Sequence, residues 1–301
     1  MRVSLLASHN LIMSAKKLWF CAMQSVNRPK RDIKLSVVPI YHPKPGQVMR
    51  VAGFMSGSGT NLIKIIKHQQ KLKSTTGKSP YEVVVVFTDN KQSNAAKIGR
   101  QYDISVVEND LMDFYRGHGC ADKRDMSLRS EFDIKTVEMI EAFNIDVVAM
   151  AGYMSIVTGS LLQRYAGRMI NVHPADLRVM AEGKRLYTGD QAVALAIKNG
   201  EPFLHSTVHL VREIVDNGEI LMISAPVLVE KSDDLDLGNK VELQKVAKEH
   251  QEILKKEGDW VIFPKALELL AQGRYGFDEK GLVYFDDRAV PEGAIIDQLI
   301  E

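Results

Sequence analysis

The sequence predicts an α/β protein built on an open, mostly parallel sheet with helices on both faces. Three observations carry this. Short apolar runs of strand length recur, and several are too continuously apolar for a sheet with one wet face. Segments of helical period separate them. The 301 residues are 45% hydrophobic and 26% charged, which is ordinary globular composition with enough chain to bury a core.

Residues 1–31 carry Arg2, Lys16, Lys17, Arg28, Lys30 and Arg31 and no acid. A basic, acid-free leader containing serines fits an organelle transit peptide. A disordered or upstream extension fits equally, with Met49 as an alternative start. Pro39, Pro43 and Pro45 then imply an extended connection. Arg50–Met55 reads as a strand ending in Ser56-Gly57-Ser58-Gly59, and Leu62, Ile65 and Ile66 open a helix. Glu82–Phe87 is dominated by the β-branched run Val83–Val86, as expected of a strand buried on both faces. Asn94–Tyr102 reads as a helix, Ile104–Val107 as a strand, and the polar stretch 108–124 as a loop. Ser127–Phe143 is expected to be helical, with Phe132, Thr136, Met139 and Ile140 on one face. Asp146–Ala151 and Met169–Val172 are further buried strands, and Asp190–Lys198 a helix. Ser206–Val211 and Glu219–Ser224 read as a hairpin across Val215–Gly218. Lys240–Lys256 is an amphipathic helix that Gly258 should break, and Asp259–Ala271 a second one.

Strands joined through helices pair in parallel by right-handed crossovers, giving a Rossmann-like sheet with ligands beyond its carboxyl ends. Several function classes drop out on composition. With 39 Lys+Arg against 38 Asp+Glu, no bulk field attracts nucleic acid. No run of 18 apolar residues offers a membrane span. Cys21 and Cys120 alone build neither a disulfide framework nor a metal site, which suits a reducing, cytoplasmic setting.

Chemistry is sought at the strand ends. Ser56–Asn61 joins a strand to a helix. Its glycines allow close backbone approach, and the helix N-terminus offers free N–H groups to a phosphate. The loop is neither a Walker loop nor GxGxxG, and a tight turn with an N-cap explains it equally well. Asn171 and His173 point to one side of a strand by its two-residue period. An amide and an imidazole so placed can stabilise an oxyanion and move a proton. Asp216, in a bend expected from Asn217-Gly218, could raise the His173 pKa; a solvated turn aspartate is the plain alternative. His209 reads as a packed core histidine or as part of the same cleft. His9, His42, His68, His118 and His250 read as surface or loop residues, and His205 is ambiguous.

In combination these motifs resemble the folate-dependent formyltransferase family over about residues 49 to 285. They are Ser56–Leu62, Val147–Met154, Asn171-Val172-His173-Pro174, Thr207–Val211 and Asp216-Asn217-Gly218. The resemblance implies a formyltransferase fold, with an extension over 1–48, a catalytic domain over 49–285 and a tail over 286–301. It implies transfer of a formyl group from 10-formyltetrahydrofolate to a phosphoribosyl amine, glycinamide ribonucleotide in purine biosynthesis, without a metal. Asn171, His173 and Asp216 fall on the family's catalytic trio, with Asp216 expected to keep His173 cationic. Gly59, Thr60 and Asn61 fall on the phosphate loop. Lys256 and Asp259 fall near contacts to substrate phosphate and ribose. Arg129, Met154 and Val211 fall on the folate side, Met154 beside both ligands. The implied partners are small molecules, with no nucleic acid or membrane; monomer and homodimer both stay open.

There are departures too. Ala175–Arg178 replaces the family's usual Ser-Leu-Leu-Pro, residues 180–189 look longer than its loop, and His205 stands for a glycine. These leave room for a different acceptor amine. A 10-formyltetrahydrofolate hydrolase shares the trio, but resembles the family with a regulatory domain in front, for which 48 residues are too few.

Overall fold

The computed structural model describes residues 36–122, 125–231 and 236–299, and the elements below fall in one unit, Val37–Glu301. The basic leader lies outside the described residues. The first half of the unit comprises β1 (Val38–Pro39), β2 (Met49–Met55), α1 (Thr60–Thr76), β3 (Tyr81–Thr88), α2 (Ala95–Tyr102) and β4 (Ser105–Glu108). It continues through α3 (Leu111–Gly117), α4 (Arg129–Ile140), β5 (Val147–Met150), α5 (Gly159–Arg164) and β6 (Met169–His173). The second half holds β7 (Met180–Ala181), β8 (Lys184–Arg185), α6 (Ala192–Lys198), β9 (Phe203–Leu204), β10 (Thr207–Leu210) and β11 (Ile220–Ile223). Then come β12 (Val227–Leu228), α7 (Lys240–Leu254), α8 (Trp260–Ala271), β13 (Tyr275–Phe277), β14 (Val283–Phe285), β15 (Arg288–Ala289) and β16 (Ala294–Ile295).

The central sheet runs β16-β11-β10-β6-β5-β2-β3-β4. The pairings from β6 to β4 are parallel, while β10 is antiparallel to β6 and to β11. This is the mostly parallel sheet that the sequence predicts. Alternate residues of β2 explain why it reads as continuously apolar. Val51 and Met55 enter the core under α1, α2 and α8, and Ala52 and Phe54 enter the core under α3, α4 and α5. Chain order places β3 on one side of β2 and β5 on the other. The carboxyl ends of β2 and β5 therefore diverge at a switch point, where such sheets bind ligands.

Four local expectations change. Residues 108–124 contain α3, because the Asp110 side chain caps it by accepting from the Asp113 N–H and Leu111 and Tyr115 are buried. Met139 is turned outward from the buried face that Phe132, Thr136 and Ile140 share. His250 is buried: its ring accepts from the Glu230 N–H and donates to the Val246 carbonyl. Gly258 does not end a helix; a π-helical turn over Lys255–Asp259 carries α7 into α8. Around the span 49–285, β1 pairs with β13 and β16 lies parallel to β11. No helix among the described residues is long and apolar enough to cross a membrane.

Candidate active site

A cleft of about 610 Å³ opens at the switch point. Its walls are the loop after β2, the segment after β5, the end of β6 and the turn between β10 and β11. Pairing register puts the chemistry there. His173 lies opposite Thr207 and Asn171 opposite His209, so all four side chains share one face of the β6–β10 ladder. On its other side β10 meets an extra residue of β11, Leu221, opposite Val208 and His209, so the bulge lies in β11 and the β6–β10 register stays regular.

Asn171, His173 and Asp216 meet. His173 Nδ1 lies 3.4 Å from Asp216 Oδ2. His209 joins them, its Nε2 lying 3.5 Å from Asp216 Oδ1 and 3.3 Å from Asn171 Nδ2. His209 is thus both a buried histidine and part of the cleft, and what brings it there is its place opposite Asn171 in the strand register. His209 Nδ1–H donates to the Leu210 carbonyl, and its Nε2 faces both Asn171 Nδ2 and Asp216 Oδ1. One Asn171 N–H then remains for the cleft.

Asp216 sits at φ +53°, a left-handed conformation that aspartate tolerates. The bend is made by that residue. Gly218 is needed for another reason: a Cβ there would stand 1.7 Å from the Leu210 carbonyl oxygen. Burial pushes the Asp216 carboxyl up, but His209, His173 and the Gly189 N–H hold it down at about 2. For His173 burial is the stronger influence. It lowers the imidazole pKa although Asp216 and the Tyr187 carbonyl raise it. The resting pair is therefore a carboxylate beside a neutral ring, where a cationic His173 was expected.

The loop Ser56–Asn61 forms the opposite wall. Ser56 N–H bonds to the Gly152 carbonyl, and Ser56 Oγ accepts from the Met154 N–H. Asn90 Nδ2 holds the Ser56 carbonyl. Gly59 stands at φ +68° where α1 begins, a conformation that favours glycine, and a Cβ there would press on the ends of Ile98 and Met55. No side chain caps α1, which leaves its first N–H groups for an anion. Asn61 Nδ2 lies 3.4 Å from Asp259 Oδ2, and Ser206 Oγ donates to Asp259 Oδ1 at 2.6 Å. Burial raises the Asp259 carboxyl to about 6 against the pull of Ser206, Asn61 and Lys255.

The remaining expected residues divide. Met154, 68% exposed at the lip, lines the cleft, as does Val211. Lys256 is exposed and outside the wall, whereas Lys255 is half-buried and lines it. Lys255 and Asp259 share a face at i, i+4, and the wider π-helical turn over Lys255–Asp259 carries Lys256 further from that face. Nothing in the sequence beyond Gly258 signals that shift. Arg129 is buried under the sheet, its guanidinium 5.4 Å from the Phe132 ring centre, and is no part of the cleft wall.

An anion cradle facing an amide, two imidazoles and a carboxylate suits acyl transfer to a phosphorylated acceptor. The chain belongs to the formyl transferase family, whose pattern matches residues 49–254. It is 34% identical over 237 residues to the trifunctional purine biosynthetic protein adenosine-3 of Homo sapiens, covering 78% of this chain and 19% of that protein. The chain thus spans about a fifth of the length of its trifunctional relatives. The phosphoribosylglycinamide formyltransferase of Haemophilus influenzae is 26% identical over 243 residues, 81% of this chain and 96% of that one. Among solved structures, glycinamide ribonucleotide transformylase 1 from Symbiobacterium toebii superposes with a TM-score of 0.60 at 26% identity, covering 80% of this chain and 95% of that one.

Proposed function

We propose that this chain transfers a formyl group from 10-formyltetrahydrofolate to the primary amine of glycinamide ribonucleotide, a step of purine biosynthesis. The observation that carries this reading is the meeting of Asn171, His173 and Asp216 in one cleft with the uncapped N-terminus of α1. The Gly59–Asn61 loop and Lys255 take the substrate phosphate. Met154 and Val211 flank the folate.

The residues divide the work. The amine nitrogen attacks the formyl carbon, and the free Asn171 N–H stabilises the oxyanion that develops on the formyl oxygen. His173 Nδ1, neutral at rest, accepts the proton that the attacking nitrogen sheds. Asp216, beside it, stabilises the resulting imidazolium. The same nitrogen returns the proton to the departing folate nitrogen as its bond to the formyl carbon breaks. No covalent bond to the protein forms.

Formyl transfer to glycinamide ribonucleotide, compared with folate release in the absence of any amine, tests the reading. Transfer that needs the amine is the expected outcome. Formate release with no amine present would instead assign a hydrolase.

A further inference from the structure

The segment Arg185–Gly189 touches the catalytic pair at three points. Arg185 Nη1 donates to the Asp216 main-chain carbonyl at 2.5 Å, and the Gly189 N–H donates to Asp216 Oδ2 at 2.8 Å. Between them, the Tyr187 carbonyl accepts from His173 Nε2 at 2.8 Å. A carbonyl oxygen only accepts, so His173 carries its proton on Nε2 and leaves Nδ1 toward Asp216. The tautomer that the proposed proton transfer requires is thus set by one main-chain oxygen.

That oxygen is held from a distance. Tyr187 is the one fully buried residue of 181–190. Its ring packs with Ala175, Ala192, Ala196 and Leu204, and its hydroxyl donates to Glu201 Oε1 at 2.6 Å. Beside the ring lies a cavity of about 170 Å³ lined by Ala175, Ala196 and Glu201 among others. Packing on that side is incomplete, so the hydroxyl, which meets Glu201 and the Asn199 side chain, is the directional contact that keeps the ring, and with it the carbonyl, in place.

We infer that Tyr187 and Glu201 are positioning residues: the phenol–carboxylate bond holds the Tyr187 carbonyl where it fixes the His173 tautomer. Neither side chain reaches the cleft wall. The inference rests on the reading of His173 as the proton carrier in formyl transfer.

The test uses the full chain with Tyr187→Phe, Glu201→Ala and Glu201→Gln. The first readout is the ¹⁵N shift of each His173 ring nitrogen, assigned by loss of its signals in His173→Gln. The second is steady-state formyl transfer. In the unaltered chain the shifts should report a proton on Nε2. Tyr187→Phe and Glu201→Ala should mix the two tautomers and lower kcat by on the order of 10- to 100-fold, as displaced catalytic groups do. KM for both substrates should stay within about threefold. Glu201→Gln keeps an acceptor oxygen and should restore both readouts. A Tyr187→Phe chain that melts earlier but keeps the Nε2–H tautomer and kcat would overturn the inference. If the unaltered chain transfers no formyl group, the proposed function fails, while the ring shifts still decide whether Tyr187 sets the tautomer.

Discussion

Two buried polar clusters flank the central sheet, and they are built in opposite ways. Around Asp216, polar groups converge: the His173 and His209 rings lie 3.4 and 3.5 Å from the carboxylate, Asn171 meets His209, the Gly189 N–H donates to Asp216, and the Tyr187 carbonyl accepts from His173. Around Arg129, partners are missing. Arg129 Nε and Nη1, Asp133 Oδ1 and Asp89 Oδ1 are buried with no protein group in hydrogen-bonding position. Asp133 answers Arg129 only by charge, one helical turn along α4, while its other oxygen serves Thr158. The first cluster is pre-organised, so its groups need no reorientation as charge develops. The second holds its groups mainly by charge, Asp133 facing Arg129 from the same helix. Burial alone does not identify a working site; completeness of partnering separates these two.

Substitutions at the heart of each cluster should differ most in activity. Asp216→Asn and His173→Ala should each lower kcat by roughly 100- to 1,000-fold or more, with the far-ultraviolet circular dichroism unchanged. Arg129→Met should leave kcat and KM within about threefold, because the guanidinium lies outside the cleft. An Arg129→Met chain as inactive as Asp216→Asn would erase the contrast.

Within the cleft, the π-helical turn makes its own prediction. Lys255→Ala should raise KM for the phosphorylated acceptor by on the order of tenfold, the worth of one charge-assisted hydrogen bond. Lys256→Ala should change it less than about twofold, since surface charges contribute little. Equal effects, read by initial rates at varied acceptor concentration, would show that the turn does not choose between them.

The smallest effect is on stability, and its sign differs between the clusters. The Asp216 pKa falls on folding to about 2, so its contribution is present above about pH 4 and is lost as pH drops through 2. The Asp133 pKa rises on folding to about 6 because burial outweighs Thr158 and Arg129. Its contribution is therefore present below about pH 4 and is lost as pH rises through 6. Asp259, also raised to about 6, adds the same slope. Asp133→Asn should then flatten the decline in melting temperature between pH 4 and 6 in part, leaving the Asp259 share. A decline as steep as before would separate Asp133 from this behaviour.

Much of this was legible in residue order. The two-residue period that aligns Asn171 with His173 is a property of any strand, and β2 and β3 announce double burial through their composition. The glycine loop was legible as a strand-to-helix turn. Long-range register was not legible. His209 gains its place from the ladder opposite Asn171, and Tyr187 from a hydroxyl that reaches Glu201 beyond α6. A periodic pattern specifies a face but not the neighbour across it. Lys255 was missed because Lys256 was placed by motif order alone, which does not say which of two adjacent lysines faces the cleft. Arg129 shows the converse, a position matched by motif order whose side chain folds inward.

The parallel pairing of Met222 and Ile223 with Ala294 and Ile295 bears on how this chain can be handled. Ile220-Leu221-Met222-Ile223 is a fully buried apolar stretch, and the last short strand is what shields its outer rim. A version ending before Ala294 would bare a row of unpaired amides and carbonyls along greasy side chains. Such a surface recruits neighbouring molecules, so loss of solubility on trimming would originate a few residues in chain from the turn that carries Asp216.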